Sequence, residues 1–206
     1  MAANRITRRL TADRGATLAE AAILTPLLVV LLFGVLEFGG AFRDYLTLNN
    51  TVTAAARQAS IQGDDPEADY QIVQQVARSS AAFPASEIDL IVVYHPASPD
   101  APPPAACLAG TSVPDGGVDA TGACNVYTAD ALGWAGSSAH WGCGAGSADG
   151  AWCPTDRKTA LSGPNGPPDD LGVYVRITHP YLTGLFGRSL ALAKSSVIEL
   201  EPQSRT

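Results

Sequence analysis

Ala21-Ala22-Ile23-Leu24-Thr25-Pro26-Leu27-Leu28-Val29-Val30-Leu31-Leu32-Phe33-Gly34-Val35-Leu36 contains no ionisable side chain. Extended to Ala16 and Ala41 and wound at 1.5 Å per residue, the run matches the hydrocarbon core of a bilayer, roughly 30 Å thick, which takes about 20 helical residues. A membrane-spanning helix is therefore predicted over residues 16–41, behind a basic leader at 1–15. The leader carries Arg5, Arg8, Arg9 and Arg14 against Asp13, a balance of +3 that leaves −10 for the rest of a chain whose formal net charge is −7. Basic residues are sparse after the run, with Arg43 and then Arg57. The arginine excess before the span predicts a single pass through the cytoplasmic (inner) membrane, N-terminus in the cytoplasm and residues 42–206 outside.

The apolar run also accounts for much of an odd composition. Only 16% of the 206 residues are charged, against about a quarter in an ordinary soluble domain. The acidic balance argues against a nucleic-acid partner, which demands basic patches. Gly and Pro supply 35 residues, concentrated with Ala and Ser in a stretch from 96 to 170 that also holds all four cysteines and all three tryptophans. That stretch is too long to be a bare loop in a compact domain and reads as an insertion between strands. Trp134, Trp141 and Trp152 are either its small core or an exposed, adhesive surface.

Cys107, Cys124, Cys143 and Cys153 form an even set in a compartment where disulfides persist. They lack the short Cys-x2-4-Cys knuckles of structural zinc sites. Two disulfides are expected, with three connectivities open; the low entropic cost of closing short loops favours Cys107 with Cys124 and Cys143 with Cys153.

Around the insertion the pattern is α+β. Beyond the span the first helix continues, with Phe42, Tyr45, Leu46, Val52, Ala55, Ala56 and Ala59 recurring at helical spacing, until Gly63 and Asp64-Asp65-Pro66 stop it. Residues 67–82 read as a second helix, with Ile72, Val73, Val76 and Ala77 on one face. Strands are predicted at 87–95, 171–179 and 190–200, the last two as a hairpin around Pro180 to Arg188. The expected fold is a long N-terminal transmembrane helix packed on a small antiparallel sheet, with a disulfide-tied Gly/Pro-rich insertion.

The join between leader and span reads Arg14-Gly15-Ala16-Thr17-Leu18-Ala19-Glu20. A carboxylate at the edge of an apolar segment is costly in lipid; Glu20 either rests at headgroup level or serves a function. Its place five residues after Gly15, behind a basic leader, resembles the processing site of type IV prepilins. Together with Pro26 to Gly39, Asn49-Asn50 and Ala54-Ala55-Ala56-Arg57, the segment resembles the TadE-like family, the pseudopilins or minor pilins of the tight-adherence (Flp) pilus system. A weaker likeness lies in Val173-Tyr174-Val175-Arg176-Ile177 and Ser195 to Pro202. The resemblance implies cleavage between Gly15 and Ala16 by a prepilin peptidase. It also implies partnership with the bilayer, with other pilins or pseudopilins and with the tight-adherence secretion machinery, and a surface pilus as a further destination.

In a helical assembly Glu20 would pair with the new Ala16 amine of a neighbour and fix axial register, because an unpaired charge in an apolar bundle is costly. Gly34, Gly39 and Gly40 offer flat surfaces for close helix approach, and Pro26 introduces a kink. Glu37, in Gly34-Val35-Leu36-Glu37-Phe38-Gly39, either marks the outer interface and reaches water or makes a subunit contact.

No enzyme motif occurs: His-Glu-x-x-His, Gly-x-Ser-x-Gly and phosphate-cradling glycine loops are all absent. His95 and His179 are expected at strand ends facing solvent or a turn, and Asp64-Asp65 and Asp169-Asp170 as turn formers, without the carboxylate spacing of a calcium loop. No catalysis, cofactor or metal is expected. The competing reading is a secreted or membrane-anchored extracytoplasmic binding protein whose signal peptide is cut near Gly39-Gly40-Ala41.

Overall fold

The computed structural model describes residues 3–80, 83–117, 121–136, 138–160 and 167–202, with side chains described from residue 15. One helix, α1 (Ala3–Gln62), runs through leader, apolar run and domain without a break, Pro26 included. At 1.5 Å per residue its 60 residues extend about 90 Å. Gly63, at φ 57°, ends it, and the Asp65 carboxylate accepts the Glu67 amide to start the next element, so the predicted stop is the observed one. The leader's arginine side chains, and the predicted end of the second helix at residues 81–82, lie outside the described residues.

The second helix, α2 (Ala68–Ser79), buries Ile72, Val73 and Val76 as its periodicity demands. Four antiparallel strands follow: β1 (Ile88–Tyr94), β2 (Cys124–Tyr127), β3 (Asp170–Pro180) and β4 (Ser189–Glu199), in the order β2-β1-β3-β4. The mixed α+β architecture is the expected one, with one addition. The insertion contributes β2, which pairs with β1 from Ile91↔Tyr127 to Tyr94↔Cys124 and makes the sheet four-stranded.

Alternation sorts the strands into two faces. Ile91, Val93, Val173, Val175 and Ile177 pack with Leu48, Val52, Ala55, Ala56 and Ala59 of α1 and with α2. Leu90, Val92 and Tyr94 form a smaller cluster with Cys107 and Cys124 on the opposite face. There Gly172 is required by close approach: a Cβ on it would run into the Tyr94 ring, whose hydroxyl donates to the Ala101 carbonyl at 2.9 Å.

The disulfides join Cys107 to Cys124 and Cys143 to Cys153, the neighbours that loop closure favours. The tryptophans differ from expectation. Trp141 and Trp152 enter the main core rather than a core of the insertion's own, with Trp134 packed against its edge. A buried polar cluster unread in the sequence joins insertion to scaffold. Arg157 Nη2 lies 2.6 Å from Asp69 Oδ1 of α2, both side chains fully buried, and Tyr127 and Asn125 donate to Asp69 Oδ2 at 2.6 and 2.8 Å. The Arg157 guanidinium also lies over the Trp152 indole. Burial raises the Tyr127 hydroxyl pKa well above its ordinary range, and the Asp69 charge adds to the effect.

Candidate functional site: the apolar helix and its polar clasp

Buried positions on α1 include Glu37, Ala41, Asp44, Leu48, Val52, Ala55 and Ala59. Their spacing of three and four residues puts them on one stripe of the helix. This corrects part of the periodic set read from sequence: Phe42, Tyr45 and Leu46 lie on the exposed side. Two positions of the true stripe are acidic, so hydrophobicity alone skips them.

Both carboxylates meet the end of the β3–β4 hairpin. Glu37 is 1% exposed. Its Oε2 accepts the Leu182 amide at 2.8 Å, and its Oε1 accepts the Thr183 amide at 2.6 Å and the Thr183 hydroxyl at 2.7 Å. Glu37 is thus shielded from water, its carboxylate engaged by donors of its own chain. Two turns further along, Asp44 Oδ2 lies 2.6 Å from His179 Nδ1, and Arg43 approaches Asp44 Oδ1 from the exposed side at 3.1 Å. His179, expected to face solvent or a turn, is buried. His95 is also largely enclosed, stacked in parallel on Trp152 with centroids 5.2 Å apart. Asp169 is buried and accepts the Lys158 amide at 2.8 Å.

The glycines fit around this clasp. Where Gly34 lacks a Cβ, Phe186 of the hairpin fills the space, its ring 3.5 Å from the absent atom, and Gly40 receives the His179 ring in the same way. Phe186 also packs on Phe38, ring centroids 5.2 Å apart. Gly39 alone of the three has nothing within 4 Å of that position. Beside the clasp is a cleft of ≈ 320 Å³ lined by Glu37, Arg43, Asp44, Glu87 and His179.

From Gly15 to Leu32 the helix is bare. Leu18, Ile23, Leu24, Leu27, Leu28, Leu31 and Leu32 are all more than half exposed, on every side of the helix. Gly15, Ala16 and Glu20 lie in this exposed stretch, in continuous helix, as does Pro26. The structure therefore brings Gly34 and Glu37 to the hairpin and leaves Gly15, Ala16, Glu20 and Pro26 apart from the folded domain. From Gly15 onward the helix is long and apolar enough to cross a membrane, with a mean hydropathy of 2.4 in its best window, 6% of it buried. It fits a single-pass anchor.

Residues 15–57 match the family model described as TadE-like protein. The segment is TadE-like. No curated protein and no solved structure matches the chain. The TadE-like match begins at Gly15 and ends at Arg57, covering both the bare stretch and the Glu37–Asp44 clasp. It thus supports a pilin-like protein associated with the tight-adherence pilus, a family that implies association with pilus machinery and membrane. The sequence singles out Glu37 but not the donors it accepts from, and it gives no direct sign of Asp44. The available signal was the seven-residue spacing of two acids on the stripe that continues into Leu48.

Proposed function

We propose that this chain is a TadE-like pseudopilin or minor pilin, processed after Gly15 by a prepilin peptidase and entering a tight-adherence (Flp, type IV-like) pilus or secretion filament. One observation carries the reading: the helix from Leu18 to Leu32 exposes large apolar side chains on every side, while the TadE-like match includes this stretch. An all-round apolar helix belongs in lipid or among other helices. It would reside in the cytoplasmic membrane with its N-terminus inside and pass to neighbouring apolar helices on assembly. Glu20 would then pair with the Ala16 amine of an adjacent subunit and set the register. The role is structural rather than catalytic.

The secreted alternative fares worse on physical grounds. A cut near Gly39-Gly40-Ala41 would remove Glu37 and leave the Leu182 and Thr183 amides without their acceptor. Mass spectrometry of the membrane fraction tests the proposal: the mature chain should begin at Ala16. Gly15→Lys should abolish processing, whereas Glu20→Ala should be processed normally yet fail to assemble. A mature terminus near Phe42, or full assembly by the Glu20 variant, would overturn the corresponding step.

A further inference from the structure

Beyond α1, the exposed large hydrophobic side chains among the described residues are Leu182, Leu185, Phe186 and Leu190, all in the β3–β4 hairpin. Leu182, at 84%, is more exposed than any large apolar side chain of the bare helix. A cluster of this kind on an otherwise well-covered domain marks an interaction surface.

Its height along α1 identifies the occupant. Phe186 packs on Gly34 and Phe38, and Glu37 binds the amides of Leu182 and Thr183, so the hairpin tip lies against residues 34–38. About 20 helical residues cross the hydrocarbon core, and counting from Ala16 that distance ends near Val35. The tip is therefore level with the outer edge of the span, beside Val35, Leu36 and Phe38, themselves more than half exposed.

The tip is also chemically prepared for lipid. From Tyr181 to Gly187 it carries no charge, and it is bracketed by Tyr181 and Arg188. Such side chains favour the headgroup layer, the tyrosine through its amphipathic ring and the arginine by reaching outward. Backbone amides are costly in a bilayer unless satisfied internally, and five of the seven from Tyr181 to Gly187 are so satisfied. Here Tyr181 N donates to Arg188 O at 3.0 Å and Gly187 N to Gly184 O at 3.4 Å. Leu182 N and Thr183 N donate to Glu37, and Leu185 N donates to the Thr183 hydroxyl at 3.3 Å. The Glu37 charge, costly near lipid on its own, is enclosed by three donors from the same tip.

We propose that the β3–β4 hairpin tip is a second membrane contact, seating Leu182, Leu185 and Phe186 among outer-leaflet acyl chains beside the span. The proposal rests on reading residues 16–41 as membrane-spanning. It fixes the domain's tilt and height on the membrane, because two contacts joined by the Glu37 clasp define an orientation that a lone helix does not.

Nitroxide labels at Leu182→Cys and Leu185→Cys in the full chain test this, in nanodiscs of phosphatidylethanolamine and phosphatidylglycerol holding one copy each. Leu28→Cys reports on the span and Asp100→Cys on water, with both disulfides verified by mass spectrometry. The tip labels should collide freely with oxygen and be shielded several-fold from a water-soluble nickel chelate, as the Leu28 label is. If the Leu28 label is itself open to nickel, the span fails and the proposal with it. If Leu28 is shielded but the tip labels are as open as Asp100, the tip contact alone is overturned. Shielding that appears only when two copies share a disc would assign the surface to a second copy instead of lipid and overturn the proposal.

Discussion

The two halves of α1 obey different rules within one continuous helix. From Leu18 to Leu32 apolar side chains point outward on every side, whereas from Glu37 to Ala59 a single stripe is buried and the remaining faces are open. In the first half hydrophobicity speaks to surroundings outside the chain. In the second half two of the stripe's first three positions are acids, and what holds it is partner geometry: donors of the hairpin on Glu37, His179 on Asp44, then sheet and α2 on Leu48 and beyond. Apolar content therefore measures membrane or assembly contact at one end of the helix and says little about folding at the other.

One leucine from each half gives the sharpest test. Leu48→Ala, at a fully buried site, should cost about 2–5 kcal/mol through lost burial and the cavity left behind. Leu28→Ala, 62% exposed, should change the domain's stability by less than about 0.5 kcal/mol. Urea unfolding in detergent micelles measures both, and equal losses would mean that the first half packs within the chain. Next in size is Glu37→Ala, which strips the acceptor from two amides and a hydroxyl. Hydrogen bonds to a charged group contribute about 1.5–3 kcal/mol, so the hairpin should open locally. Hydrogen exchange at the Leu182 and Thr183 amides should accelerate, with Glu37→Gln intermediate; unchanged protection would dissolve the clasp.

Two glycines make the same contrast at smaller scale. Gly172→Ala drives a Cβ into the Tyr94 ring and should cost about 1–3 kcal/mol, as overpacking does. Gly39→Ala meets open space and should leave the domain unharmed or stabilise its helix by up to about 1 kcal/mol. Thermal unfolding of the two variants decides, and a Gly39→Ala loss as large as that at Gly172 would show that the open side is filled within the chain.

These cases also show what the sequence made readable. Element identities followed from periodicity: α2, β1 and the β3–β4 hairpin carry runs long enough to betray their period, and Gly63 with Asp65 announces the end of α1. β2 escaped because Cys124-Asn125-Val126-Tyr127 is four residues long, too short for alternation to register inside a Gly-rich stretch. Asp69 escaped because a lone acid in the first turn of a helix reads as favourable to the helix dipole, whereas here it is the buried acceptor for Arg157, Asn125 and Tyr127. Glu37 was legible as an anomaly, but its meaning depended on donors at Leu182 and Thr183, far along the chain. Charge buried by distant partners leaves no local period to read.

The finest distinction concerns the cleft beside the clasp, where Glu87 has no partner as good as those of Glu37. Its Oε2 is buried and, among the described residues, makes no hydrogen bond. Desolvation pushes its carboxyl above the ordinary value of 4.5, the Asp44 charge pushes the same way, and His179 and Arg43 offset part of the rise. A raised carboxyl means that the folded state holds its proton more tightly than the unfolded state. Stability from this group is thus fully present below the ordinary carboxylate value and is lost as pH rises through the folded one. At pH 7 the ionised side chain is a net burden that Glu87→Gln removes. The variant should melt at a slightly higher temperature than the parent at pH 7, and the gain should vanish at pH values below the carboxylate range, where both side chains are neutral. Circular dichroism melts at the two pH values measure it. A gain that persists at low pH would trace to packing instead of charge, and a loss at pH 7 would mean that Glu87 has a favourable partner and that both acids near the hairpin are clasped alike.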